Sequence, residues 1–210
     1  MRKFILFGAC VGALGIALWQ IQSANASEEE PAYQVDSKDG NFEVRKYPEM
    51  IAAEVTVPSS EKGADNKAFS ILAGYIFGKN EAQKHMESAA QVTSKRKTNE
   101  KIPMTVPVTE KFESDTMIMR FYMPSKYTFE TLPKPLDERI RLVSVPAQKF
   151  AVIRFSGSPD EHSIERHTKL LNDLVQKKEL SAENEVMRAF YNPPWTLPFL
   201  RRNELWIRLQ

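Results

Sequence analysis

The chain has 210 residues, 42 % hydrophobic and 27 % charged, with 29 lysines and arginines against 27 aspartates and glutamates. Two of the basic residues, Arg2 and Lys3, precede residue 27, so the rest of the chain is charge-balanced and offers no cationic face for nucleic acid or acidic lipid. The single cysteine, Cys10, lies in that same N-terminal stretch, which leaves no disulfide, thiol nucleophile or thiolate metal site beyond it. Stability must come from an ordinary hydrophobic core, and a chain of this length can build one.

Arg2 and Lys3 precede an apolar run from Phe4 to Trp19, and Ala24-Asn25-Ala26 follows with the small-x-small pattern of a signal-peptidase site. Residues 1–26 therefore read as a signal peptide with Ser27 as the new N-terminus, or as an uncleaved anchor. The apolar run falls short of the roughly 20 residues that span a bilayer comfortably. Cys10 is too close to the start to mark a lipoprotein. The expectation is an exported protein, most naturally periplasmic, that touches membrane only through an uncleaved N-terminal segment. Residues 27–32 read as an acidic linker, and one domain is expected over 33–210.

The domain contains an internal repeat. Phe42 to Tyr47, Pro48 and Met50 to Val57 read as strand, turn and strand; Ile140 to Val145, Pro146 and Lys149 to Phe155 read the same way. A shift of 98 positions aligns Pro48 with Pro146, Ala53 with Ala151, Val55 with Ile153 and Val57 with Phe155. Each pair is followed by an amphipathic helix. The first has Asp65 as expected N-cap, Gly78 as stop, and Ala68, Phe69, Ile71, Leu72, Tyr75 and Ile76 as its apolar face. The second has a Ser158/Glu161 capping box around Pro159, and Ile164, His167, Leu170, Leu171, Leu174 and Val175 on its inner face. Two further strands close each half: Met104 to Glu110 with Met117 to Met123, and Val186 to Tyr191 with Glu204 to Leu209. Pro124 to Asp137 links the halves. The pattern predicts an α+β fold of two ββαββ units, with eight strands and two long helices lying against the sheet.

Three segments are unusual: Ala73-Gly-Tyr-Ile-Phe-Gly-Lys-Asn80, Lys101-Ile-Pro-Met-Thr-Val-Pro-Val108, and Asn192-Pro-Pro-Trp195 with Arg201-Arg-Asn-Glu-Leu-Trp-Ile207. Proline is tolerated at strand starts, edges and bulges, not inside a paired central strand. Together and in this order the segments resemble the SOUL heme-binding family, from about Tyr33 to the C-terminus. The resemblance implies a twisted barrel-like sheet with two helices, shared with GyrI-like effector-binding domains, and noncovalent, weak binding of heme or a related porphyrin. The implied role is a carrier, buffer or scavenger in the cell envelope. The implied cofactor contacts are Met104, Ile102 and Val106 in the signature run, Lys79 and Lys101 as propionate partners, and His85 as an axial ligand. The chain departs from the family in a longer connection over Gln83 to Thr98, and no histidine lies between Tyr33 and Glu54.

Motifs of other chemistries are missing: there is no Gly-x-Ser-x-Gly, phosphate-binding glycine loop, His-Glu-x-x-His, Cys-x-x-Cys or Cys-x-x-Cys-His. His162 and His167 are turned about 140° apart on a helix and share no metal face. His167 reads as a satisfied, partly buried histidine, His162 as exposed. Met86, Met104, Met117, Met119 and Met123 are possible soft iron ligands, though methionines at alternate strand positions more often pack cores. Trp195, Phe190, Tyr191 and Phe199 read as core and corner packing, and Arg201 and Arg202 as partners of acidic groups. No catalytic or resident metal site is expected. Two other classes stay open: a GyrI-like module for a different small apolar ligand, and a hydrolase using cleft carboxylates such as Glu43 or Glu54, one of which would need a raised pKa.

Overall fold

The computed structural model describes residues 28–82 and 99–210. The Phe4–Trp19 run, Cys10, the Ala24-Asn25-Ala26 motif, His85, Met86 and the 83–98 connection lie outside them. The chain is α+β, with two helices laid on one large antiparallel sheet.

Strand β1 (Gln34–Asp39) turns into β2 (Phe42–Tyr47) through Gly40-Asn41, with Gly40 at φ 60° as the first position of a two-residue hairpin loop demands. β1 was not expected. All six of its residues are exposed, so it carries no apolar alternation, and Asp39-Gly40-Asn41 was the signal available for it. β3 (Met50–Pro58) follows, then helix α1 (Ala64–Ile76). α1 starts behind Gly63, at φ 74° and without a side-chain cap; Asp65 falls inside the first turn, where its charge meets the positive end of the helix. At the other end Gly78 takes φ 112° just past the cap residue Phe77, as a helix stop should.

β4 (Asn80–Glu81) pairs only with β7 (Lys134–Pro135) of the linking segment, in a short ribbon. β5 (Val108–Glu113) starts later than Met104, because Pro103 and Pro107 have no N–H for a ladder. The preceding residues run extended instead, with Ile102 N donating to Ile76 O (2.8 Å). β6 (Thr116–Tyr122), β8 (Arg141–Val145) and β9 (Gln148–Phe155) lead to helix α2 (Glu161–Lys177). The expected capping box is replaced by Asp160, whose carboxylate accepts from Ser163 N at 2.8 Å. Leu170 lies on the flank of the stripe set by Ile164, Leu171 and Val175 and is 46 % exposed rather than inward. β10 (Ala182–Phe190) and β11 (Asn203–Leu209) complete the chain.

The main sheet has nine strands rather than eight, in the order β1-β2-β9-β11-β10-β5-β6-β3-β8. β2 and β3 follow one another but do not pair: β2 lies between β1 and β9, and β3 between β6 and β8. Both helices cover one face. Leu72, Tyr75 and Ile76 of α1 pack on Val55, Met119 and Phe121, and Ile164, Leu171 and Val175 of α2 pack on Phe42, Ile153, Leu205 and Ile207. Alternate residues of the same strands build a second layer on the opposite face, where Tyr47, Phe150, Val152 and Trp206 meet. The Tyr47 and Trp206 rings stack with centroids 5.0 Å apart. This helix-free face positions the site.

Candidate functional site

Residues 28–32 cross the helix-free face as a strap. The Val106 amide donates to Glu29 O (2.9 Å), the Ser125 amide donates to the Glu29 carboxylate (2.7 Å), and Glu29 forms a parallel bridge with Thr105. Glu30 receives a two-pronged bond from Arg202 at 2.9 and 2.8 Å. The supposed linker is thus built into the domain. On one side of it lies a cavity of about 520 Å³ that includes Met50, Tyr122, Met123 and Tyr127, and on the other one of about 490 Å³ that includes Val106, Arg154, Tyr191, Trp195 and Arg202. Glu30 lines both.

Beneath the strap the sheet carries a buried charge network centred on Glu204, which is 0 % exposed and faces Arg45 at 2 %. Arg45 donates twice to the Glu204 carboxylate (2.8 and 3.1 Å), and Arg202 Nε (2.9 Å), Tyr191 Oη (2.9 Å) and Trp206 Nε1 (2.8 Å) donate as well. Burial opposes charge on Glu204, but the bonds from Arg45 and the fields of Arg45 and Arg202 outweigh it, so its carboxyl is held below the ordinary range. Burial likewise opposes charge on Arg202, and its bond to Glu30 leads the effects that raise its pKa all the same. Such a carboxylate is saturated with donors and has no capacity left for a ligand. It fixes β11 and holds Arg202 in place. Arg201 acts differently from the expectation: it donates to the carbonyls of Thr196 (2.7 Å) and Pro194, not to an acid.

These bonds shape the loop from Asn192 to Arg201. Thr196 N donates to Pro193 O (3.0 Å), Leu200 N to Leu197 O (2.9 Å), and Gly157 N to Pro198 O (2.9 Å). Pro193 and Pro194 have no amide proton to join a ladder, so the chain leaves the sheet here and turns outward. Trp195 is consequently 83 % exposed and Phe199 71 %, with Leu197 and Leu200 also exposed, while Tyr191 stays buried and Phe190 half-buried. Trp195 and Phe199 are therefore not packing residues. The loop thus shows four large apolar side chains to solvent, a grouping that soluble proteins seldom expose without a use for it.

The residues singled out from the sequence are dispersed. Ile102 is buried beneath α1 and Met104 half-buried on the same core, whereas Val106 turns to the opposite face and lines the 490 Å³ cavity. Lys79 and Lys101 are exposed. Met117, Met119 and Met123 are core residues of the α1 side. His167 stacks on Phe155 at 4.0 Å, and its Nδ1 lies 2.7 Å from Ser163 O. The two carboxylates considered for hydrolysis are bound by cations: Glu54 by Arg120 (2.7 Å) and Arg141 (2.5 Å), and Glu43 by Lys38 (2.8 Å) and Arg45 (2.7 Å). Glu43 is partly desolvated, which opposes its charge, yet these two partners lower its pKa, the reverse of what a general acid needs. Glu110 on β5 has the raised pKa instead, about 7, because burial disfavours its charge more than the field of Arg188 favours it, and Asp65 and Glu161 act in the same direction as burial. It faces the helices and lines neither cavity.

A family model described as SOUL heme-binding protein matches residues 28–208. This chain belongs to the SOUL heme-binding protein family. Mouse Heme-binding protein 2 is 26 % identical over 82 % of the chain and 80 % of its own length, and the human protein of the same name is 27 % identical over 80 % and 78 %. The fold is shared with the EcmrR C-terminal domain, at a TM-score of 0.57 and 10 % identity, covering 85 % of this chain and 98 % of that one. The SOUL match includes the strap.

Proposed function

We propose that this SOUL-family protein binds heme or a related tetrapyrrole without a covalent bond, on the 193–200 loop and the cavity beside it. One observation carries the reading: a hydrogen-bonded loop holds Trp195 and Phe199 in solvent, and Trp195 lines the cavity that Arg154 and Arg202 also line. Covering a few hundred Å² of porphyrin face at about 25 cal/mol per Å² contributes several kcal/mol before association costs. Arg154, which has no ion pair among the described residues, is the partner for a propionate, with Arg202 behind it. Among the described residues no histidine, methionine or cysteine lines this cavity, so the ring is held by its faces and carboxylates, and weakly. The α1 side offers a second placement, where exposed Phe77 and Leu136 accompany Lys79, with Lys101, Ile102 and Met104 on the same side.

Location and organisation complete the proposal. The N-terminal pattern of residues 1–26 supports export to the cell envelope, and the role there is carriage, buffering or scavenging. The domain is read as two copies of one ββαββ unit. Exchanging β2 with β8, β3 with β9, β5 with β10 and β6 with β11 reverses the order of the eight strands beyond β1 and leaves it otherwise unchanged, which supports duplication.

The test is an absorbance titration with hemin, comparing the parent protein with Trp195→Ala/Phe199→Ala and with Met104→Ala. Saturable one-to-one binding that weakens at least tenfold only in the double variant is expected. Unchanged binding in that variant, with loss in Met104→Ala, would move the ligand to the α1 side; no saturable change in the parent would end the tetrapyrrole reading.

A further inference from the structure

The exposed residues of the 193–200 loop are Pro194, Trp195, Leu197, Pro198, Phe199 and Leu200, every one of them apolar, and the stretch contains no charged residue. Its backbone is largely closed on itself. Pro193, Pro194 and Pro198 have no N–H to satisfy. The carbonyls of Pro193, Leu197 and Pro198 accept backbone N–H groups, and those of Pro194 and Thr196 accept from the Arg201 guanidinium. On an ordinary surface loop water would satisfy these groups. Hydrocarbon offers neither donors nor acceptors, so backbone that enters it must bring its own partners. Arg201 supplies them from the domain side, half-buried itself.

We propose that this loop docks on a lipid bilayer, with Trp195, Leu197, Phe199 and Leu200 entering the boundary between headgroups and acyl chains. Tryptophan suits that depth, since its ring is apolar and its N–H reaches water. The attraction is burial of apolar surface, as for other segments that lie on a membrane, and needs no cationic face. A second copy of the chain would cover the same side chains, but the layout of the chain favours the bilayer. Glu28 and Glu30 line the same cavity as Trp195 and Leu200, so the polypeptide enters the domain beside the loop. Eight residues, Gln20 to Ser27, separate that entry from the apolar run ending at Trp19, a reach of at most roughly 29 Å. As an anchor, or during export before cleavage, that run brings this face of the domain to the membrane. This placement rests on the reading of residues 1–26; the composition and bonding of the loop do not. The proposal goes beyond the tetrapyrrole reading and stands without it.

The chain from Ser27 keeps every strand of the sheet and both helices, and it contains two tryptophans, Trp195 and the buried Trp206. With vesicles of zwitterionic phosphatidylcholine and no hemin, Trp195 emission should shift to the blue, saturably with lipid, and be quenched when the acyl chains carry bromine. Because the contact is apolar, added salt should not release the protein. Leu197→Ser/Phe199→Ser keeps the reporter and should weaken vesicle binding about tenfold or more. Leu170→Ser, at an exposed apolar residue on α2, should leave it unchanged. No shift or quenching at about 1 millimolar lipid, release by salt, or equal losses in the two variants would overturn the proposal. A blue shift that grows with protein concentration in the absence of lipid would overturn it too, assigning the loop to a second copy of the chain. A failed hemin titration bears only on the tetrapyrrole reading, and failed vesicle binding leaves that titration standing.

Discussion

Replacing Glu110 by glutamine should stabilise the protein, and by an amount that grows with pH. Glu110 sits on β5 opposite Arg188 of β10, and the first turns of the two helices bring Asp65 and Glu161 to bear on it. Burial chiefly, with these two acids, pushes its carboxyl up to about 7 from an ordinary 4.5. A group whose folded pKa is raised in this way favours folding while protonated. Its cost is absent below pH 4.5, accumulates as pH rises toward about 7, and is complete beyond it. The gap corresponds to about 3 kcal/mol in full, less than 1 kcal/mol of which is lost by pH 5. Glutamine keeps the shape and cannot ionise. Urea unfolding of both proteins at pH 5 and 8.5 should therefore show the variant's advantage widening by about 2 to 3 kcal/mol. An advantage that stays constant, or a variant that loses ground as pH rises, would refute burial as the cause.

Glu204→Ala leaves Arg45 buried without its partner and should cost about 3 to 5 kcal/mol in chemical denaturation. Because the Glu204 pKa is depressed in the fold, its own contribution is present above pH 4.5 and disappears as pH falls through the lower folded value, so acid unfolding should be steeper in the parent than in Glu204→Ala. Asp160→Ala removes the cap of α2 and should cost about 1 kcal/mol, readable as a lower urea midpoint with an unchanged slope. Metal-free protoporphyrin should bind as tightly as hemin if the ring is held by its faces and propionates; a tenfold or larger preference for hemin would instead require an iron ligand.

Much of the fold was legible because burial writes a period into the sequence. Leu72, Tyr75 and Ile76 recur at helical spacing because they meet the sheet, and Phe42, Val44, Ala151 and Ile153 alternate because one face is covered by α2. β1 escaped because it buries nothing, and the caps were misplaced by a few residues because Asp65, Ser158 and Asp160 are all chemically able to cap. Site residues were harder to place. Ile102, Met104 and Val106 share one short motif, yet the first two close the α1 core and the third turns across the sheet, a difference set by two prolines and the strap.

The sequence by itself determined that an α+β domain with two packed helices forms without cysteine beyond residue 10, and that it carries the marks of the SOUL family. Those properties depend on local period and on segments a few residues long. Which faces meet was decided only in three dimensions. Residues 28–32 look like a linker until Val106, Ser125 and Arg202, from 77 to 172 positions away in the chain, are found holding them. The two cavities lie on either side of that strap, one with glutamates as its charged lining and the other with Arg154 and Arg202 beside Glu28 and Glu30, all gathered from separate strands and loops. Long-range pairing of this kind leaves no period in the chain, since each partner need only be the right residue at one place.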